Sequence, residues 1–276
     1  MRRVSTLSAA LLVLACTFAA PSIVRAQAPA DDDPAVLRLA EPDFTLIGLP
    51  TSLRLPTFGS SFRVTHRFTR PLGQGDFGDL AGDFFGIDSG AQIGLEYRFG
   101  LVKNGQVVFH RTSTRTIQFS GQYSVLRQSG GAPVDVSALV TIEGTNNFRD
   151  SYSPAVGAII SRDIGTFAAF YVEPIWVNNT NPFPTQLVDH NNTFMVGIGA
   201  RIRLLPTVYI TGEVAPTSGY RPGQTHGAFA IEKRVGGHLF QLNFSDNIGT
   251  TMAQIARGGP PQNDWFMGFN ISRKFF

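Results

Sequence analysis

The sequence predicts an all-β protein: a closed antiparallel transmembrane β-barrel of about twelve strands, with short periplasmic turns and longer extracellular loops. Three observations carry this. Apolar residues recur with a period of two along many segments, the spacing of a strand that shows one face to an oily phase. The segments are about 9–11 residues long, the length of a tilted strand crossing a bilayer. Aromatics gather at apolar positions near segment ends, at Phe62, Phe68, Tyr97, Phe99, Trp176, Phe194, Trp265 and Phe275, where barrels place interfacial girdles.

The alternation is plain in Ile93-Gly94-Leu95-Glu96-Tyr97-Arg98-Phe99, where every odd residue is apolar and every even one small or charged. It recurs in Phe194–Leu204, in Thr116–Leu126 and in Trp265–Ser272. Strands are expected near 60–69, 91–99, 106–112, 115–127, 134–144, 153–162, 166–177, 193–204, 207–215, 226–235, 238–248 and 264–275. An even number suits a bacterial barrel with both ends in the periplasm. If the first strand runs outward, the periplasmic joints fall at 100–105, 129–133, 163–165, 205–206 and 236–237, all short and turn-like. The opposite joints, at 70–90, 145–152, 178–192, 216–225 and 249–264, are longer and rich in Gly, Pro, Asn and Asp. Only the joint near Ser113 departs from this asymmetry.

The N-terminus reads as an export signal. Arg2 and Arg3 precede the short apolar run Leu7–Ala15, and Val24-Arg25-Ala26 offers a cleavage site. Val13-Leu14-Ala15-Cys16 also loosely resembles a lipoprotein box, with Leu14 a poor fit. The expected division is signal peptide 1–26, N-terminal arm or plug segment 27–59, and barrel 60–276. Loss of 1–26 removes three arginines and no acid, so Lys+Arg falls from 23 to 20 against 20 Asp+Glu. The apparent net charge of +3 disappears, and with it any basic surplus for nucleic acid. The single cysteine leaves as well, excluding a disulfide framework or thiolate metal site. Within 27–59, Asp31-Asp32-Asp33-Pro34 reads as a solvated leader, and the apolar stretch Phe44–Phe58 is punctuated by Pro50 and Pro56. It is either a periplasmic arm or a lumen plug.

Several stretches are similar to a family of bacterial β-barrel proteins known mainly as a domain of unknown function. They are Thr65-His66-Arg67-Phe68, Phe84-Phe85-Gly86-Ile87-Asp88, Gly94–Gly100, Phe170–Asn181 and Phe269–Phe275. The similarity runs from about residue 50 to the end. It implies an outer-membrane barrel, with no catalytic residues to carry over. Barrels of this kind end in an aromatic read by the assembly machinery, so Phe269, Ile271, Phe275 and the additional Phe276 are the expected C-terminal assembly signal.

The informative polar residues are charges on the polar faces. Arg63, Arg67, Glu96, Arg98, Glu143, Glu173, Arg201, Arg203 and Glu213 should line the lumen, because an Arg facing lipid near the midplane costs ~2–4 kcal/mol. There they would either border a narrow solute path or pair with one another and fill the bore. Other motifs carry little chemistry. Gly73-Gln74-Gly75-Asp76-Phe77-Gly78 matches a dinucleotide fingerprint literally but lacks its strand–helix setting. Asp76, Asp79, Asp83 and Asp88 share one loop at spacings that fit no known calcium site. His66, His110, His190, His226 and His238 show no zinc-ligand spacing, and His66 shares a face with apolar neighbours.

The expected function is therefore that of an outer-membrane, non-enzymatic barrel without cofactors, either a narrow passive channel or a structural barrel. Its partners would be outer-membrane lipids, the barrel assembly machinery and small ionic solutes. A barrel-embedded enzyme such as a lipid hydrolase, or a soluble exported β-sandwich that binds a ligand, are the alternatives.

Overall fold

The structure is a computed structural model that describes residues 38–181, 191–219, 224–259 and 264–275. Its strands are β1 Ser60–Phe68, β2 Ala91–Val102, β3 Gly105–Thr112, β4 Ile117–Leu126, β5 Asp135–Gly144, β6 Asp150–Ile164 and β7 Ala168–Val177. They continue as β8 Thr193–Leu205, β9 Val208–Ala215, β10 Thr217–Gly219, β11 His226–Val235, β12 His238–Ser245 and β13 Phe266–Phe275. Each expected segment is present, most within a few residues of its expected bounds.

Successive strands pair antiparallel around the ring, β1 with β13 closes one seam, and β8 with β9 closes the other. β10 continues β9 along the same neighbour, with Thr217 opposite Met195 and Gly219 opposite Thr193. The break between them is Pro216, which has no N–H to give the ladder. Counted through that break, twelve strands close the barrel.

Side chains sort by face. Phe62, Leu95, Phe109, Phe119, Val140, Phe170, Phe229 and Leu242 stand exposed on the outer wall, while Arg63, Glu96, Gln118, Glu143, Glu213 and Asn243 are buried inside. This is the arrangement for a lipid exterior. His66 faces outward, stacked on Phe269 with centroids 4.7 Å apart and rings 9° from parallel.

At the turn end, β2–β3, β8–β9 and β11–β12 are joined by residues 103–104, 206–207 and 236–237. Asn104, Gly165 and Gly236 adopt positive φ to make such turns. At the other end the intervals between strands are longer, 69–90, 178–192 and 246–265, of which 182–190 and 260–263 lie outside the described residues. The joint expected at 145–152 is shorter than anticipated, because β6 already begins at Asp150. Asn146 and Asn147 take the left-handed conformation that lets the chain reverse there. The Gly-rich stretch at 73–78 leads into a short helix, α1 (Phe77–Gly82), where Asp76 and Asp79 form a reciprocal capping box. Asp83 pairs with Arg70 at 2.6 Å.

β12 ends at Ser245, short of the expected 248, because Asn247 turns the chain inward: its Oδ1 accepts from Gly249 N at 2.7 Å. The chain then forms helix α2 (Met252–Arg257) within the barrel mouth.

One wall departs from simple alternation. On β5–β8 the inward positions include Leu139, Ile159, Ile175, Val177 and Met195, all buried. Strands apolar on both faces are covered on both faces. Lipid covers the outside; the inside is covered by the segments described next.

Candidate functional site in the occupied lumen

Residues 38–55 enter the barrel from the turn end, reverse at Leu46–Leu49 and return. The reversal is a small hairpin: Leu46 N donates to Leu49 O at 2.8 Å, Thr51 N donates to Phe44 O at 2.8 Å, and Thr45 bridges Pro50. Inward Gly197 and Gly199 of β8 make room for it. A Cβ on Gly199 would lie 2.2 Å from Leu46 Cδ1, and one on Gly197 would lie 2.9 Å from Leu49 Cδ1.

The hairpin base is fixed by charge. Arg38 forks onto Asp135 at 2.7 and 3.0 Å and lies 3.5 Å from both Glu41 and Asp163. Burial works against the Arg38 charge, but the Asp135 bond and the surrounding carboxylates outweigh it, so its pKa is raised. Glu41 is fully buried and accepts from Tyr171 Oη at 3.0 Å and Ser52 Oγ at 3.2 Å. Burial pushes its carboxyl above the ordinary range, against the pull of Arg38. Ser272 donates to Asp43 at 2.9 Å, Tyr209 donates to the Leu39 carbonyl at 3.0 Å, and Lys274 donates to the Pro42 carbonyl.

The tip is held by its backbone. Glu213 Oε2 accepts from Ile47 N at 2.9 Å and Leu49 N at 3.1 Å, and its Oε1 accepts from Gly48 N at 2.7 Å. The Ile47 carbonyl accepts from Arg63 at 2.5 Å, Asn270 at 3.2 Å and Arg67 at 3.4 Å. Arg201 reaches the Thr45 carbonyl and Gln241 the Leu46 carbonyl, both at 2.7 Å. Gln122 and Gln106 hold the Thr51 and Leu53 carbonyls at 2.9 and 3.0 Å.

From the loop end, α2 meets this tip. Thr251 and Gln254 form its capping box. Two of its first N–H groups are taken by the wall, Met252 N by Gln118 at 2.6 Å and Ala253 N by Glu143 at 2.9 Å. Ile255 Cδ1 lies 2.9 Å from where a Cβ on Gly48 would stand, so the two inserts touch at a glycine. Leu46 and Leu49 of the hairpin, Met252 and Ile255 of α2, and Ile159, Ile175 and Met195 of the wall form one buried apolar cluster. A cavity of about 40 Å³ remains between the inserts, lined by Thr45, Gly48, His110, Gln118, Thr250 and Met252 among others.

The residues expected at the lumen are distributed as follows. Arg63, Arg67 and Arg201 grip hairpin carbonyls, and Glu213 grips hairpin N–H groups. Glu96 and Arg98 pair at 3.1 Å, and the Arg98 guanidinium lies 5.2 Å over the Phe44 ring. Glu143 caps α2. Glu173 is fully buried beside Leu49, and neither carboxylate oxygen has a partner among the described residues. Arg203 sits at the turn end, bonded to the Pro206 carbonyl at 3.2 Å. Phe269, Ile271 and Phe275 share the outward face of β13; Phe276 and residues 1–37 lie outside the described residues.

Three participants escaped the sequence reading. Glu232 forks onto Arg201 at 2.8 and 3.0 Å, both fully buried. Its nearest inward neighbours on β11 are Ala228 and Ala230, too small to mark a polar stripe. His226 stands between carboxylates, 3.0 Å from Glu213 and 3.1 Å from Asp246. Helix α2 was marked in the sequence by Thr251-Met252-Ala253-Gln254, a capping-box pattern.

A closed antiparallel barrel with a lipid-facing belt is the transmembrane architecture of bacterial outer membranes; this one is a member of that class whose bore is occupied from both ends. Residues 46–275 match the family described as "Membrane bound beta barrel domain (DUF5777)", and the chain belongs to that family. Among curated proteins none matches. Among solved structures, a NanC porin is similar with a TM-score of 0.52 at 8% identity, over 79% of this chain and 100% of the porin. Outer membrane protein Omp33 of Acinetobacter baumannii gives 0.48 at 9% identity, over 79% and 98%. An outer membrane channel from Pseudomonas putida F1 gives 0.45 at 11% identity, over 80% and 97%. At such identities the likeness to the porin is one of fold.

Proposed function

We propose that this protein is a gated narrow channel of the outer membrane, seen in its closed state, and that it catalyses no reaction. The observation that carries this is how the bore is closed. Hairpin 38–55 adds no strand to the wall; hydrogen bonds, one forked ion pair and apolar contacts hold it. Such an insert can leave while all inter-strand ladders stay intact. Export through signal peptide 1–26, with 27–59 as the gating arm and 60–276 as the barrel folded by the assembly machinery, completes the reading.

The test is conductance of the purified full chain in planar bilayers. A side chain at position 48 meets Ile255 and Glu213, so Gly48→Val should expel the hairpin tip. The wild type is expected to be mostly closed, and Gly48→Val to raise open probability at least tenfold. Exposure of the hairpin is read separately, by labelling Ser52→Cys with a membrane-impermeant maleimide. A Gly48→Val protein that keeps heat-modifiable migration, exposes position 52 and still passes no current would make this a structural barrel.

A further inference from the structure

The hairpin tip shows what the lumen is built to hold. Ile47 is gripped at three points. Its N–H is held by Glu213, its carbonyl by Arg63, Arg67 and Asn270, and its side chain packs in a buried apolar cluster with Ala228 and Ala230. The two charged poles thus stand at the two ends of a single residue. What each pole binds on the hairpin is neutral. Arg63 and Arg67 converge on one neutral carbonyl oxygen, and the Nε of each has no partner among the described residues. Arg63 is 3.7 Å from Glu96, which Arg98 already engages at 3.1 Å. Glu213 accepts from neutral amides, with His226 as its one ionisable hydrogen-bond partner. Glu173, which like Leu49 lies against Gly197, adds a second buried carboxyl group near Glu213 without a hydrogen bond among the described residues.

A free α-amino acid presents the same three features at the same spacing, with full charges. Its ammonium replaces the Ile47 N–H, its carboxylate replaces the Ile47 carbonyl, and its side chain enters the Ala228–Ala230 pocket. Hydrogen bonds between charged partners are roughly twice as strong as neutral ones. The hairpin holds the site because it is tethered, which gives it an effective concentration on the order of millimolar. We infer that the lumen contains a binding site for a zwitterionic aliphatic α-amino acid, which Ile47 occupies in cis, and that such solutes compete with the hairpin for it. As the solute class of the gated channel, this rests on the reading above; as a binding site, it does not.

The test combines equilibrium dialysis in detergent with current block in bilayers, on full-length Gly48→Val protein. The probe is L-isoleucine; L-isoleucinamide lacks the carboxylate and N-acetyl-L-isoleucine lacks the ammonium. L-Isoleucine should bind at least tenfold more tightly than either control. Arg67→Gln should cost about tenfold against L-isoleucine and little against L-isoleucinamide, and Glu173→Gln should weaken L-isoleucine more than N-acetyl-L-isoleucine. Binding without any current would keep the site and remove the channel. Current without binding, or equal binding of all three compounds, would overturn the site and leave the channel. If Arg38→Glu, a second way to free the hairpin, also leaves position 52 unlabelled, the hairpin is a fixed filler and the competition is overturned.

Discussion

The two inserts that close the bore are held in different ways. Hairpin 38–55 is secured along its backbone by long polar side chains of the wall, by the Arg38–Asp135 fork, and by buried side chains such as Phe44, Leu46 and Leu49. Helix α2 is secured by its apolar side chains, with two N-terminal amides capped by Gln118 and Glu143. Among the described residues the hairpin is continuous with the wall only through 56–59, whereas α2 lies in a loop tied at both ends to adjacent strands β12 and β13. Backbone bonds can be exchanged for bonds to water, at a net loss of about 0.5–1.5 kcal/mol for a neutral partner such as Gln241 and about 1.5–3 kcal/mol for a charged one such as Glu213 or Arg201. Both inserts also bury apolar side chains, so attachment separates them: the hairpin, tethered through 56–59, is the insert suited to leave, and α2, tied into a loop between two strands, the one suited to stay.

The largest effect is expected at Arg201, which both pairs with Glu232 and holds the Thr45 carbonyl. Arg201→Ala strands a fully buried carboxylate, which costs about 3–5 kcal/mol. Heat-modifiable migration should be lost at a much lower temperature, and position 52 should become labelled; unchanged thermal behaviour would mean that the pair contributes nothing. Glu143→Ala should act on the other insert alone. It leaves Ala253 N without its acceptor, a loss of about 1–3 kcal/mol, and should open the 246–259 loop to protease without raising Ser52→Cys labelling. Labelling that rises in step with cleavage would show the inserts to be one unit.

A finer test uses pH. Glu41 faces Arg38, Asp135, Tyr171 and Arg201, and its carboxyl is raised by burial from an ordinary 4.5. The inserted hairpin thus prefers the protonated carboxyl, and a withdrawn hairpin in water does not. Hairpin retention from this group is complete below the ordinary value and is lost as pH rises through the raised one. Labelling of Ser52→Cys should increase with pH, and Glu41→Gln should flatten the dependence; a slope that survives the substitution would assign it to another group. The smallest effect belongs to neither insert. Asp83 pairs with Arg70 in an exposed loop, so Asp83→Asn should change stability by no more than about 1 kcal/mol in urea.

The wall was largely legible because a lipid exterior forces the period. A one-residue slip would turn Leu95, Phe109 and Phe229 inward and Arg63, Glu96 and Arg201 toward lipid. The occupied lumen was less so. Phe44–Leu55 has no repeating period, since it is a hairpin whose partners lie on strands remote in sequence. Its anchors Gln106, Gln122 and Gln241 are uncharged and unremarkable on a polar face. Glu232 was masked by alanines. The legible clues were indirect: Gly197 and Gly199 spare room on an inward face, and β6 and β7 are apolar on both sides. Arg203 shows the limit of face assignment, because alternation gives a side but no depth, and its position near the turn gives it the Pro206 carbonyl as partner.

The apolar cluster shared by Leu46, Leu49, Ile255 and the β5–β8 wall has a thermal consequence. Withdrawing the hairpin wets that surface, so opening carries a positive heat capacity. The closed state then has a temperature of greatest stability and loosens on either side of it, and the contribution of this cluster weakens as the membrane cools. Cold as well as heat would favour the open barrel.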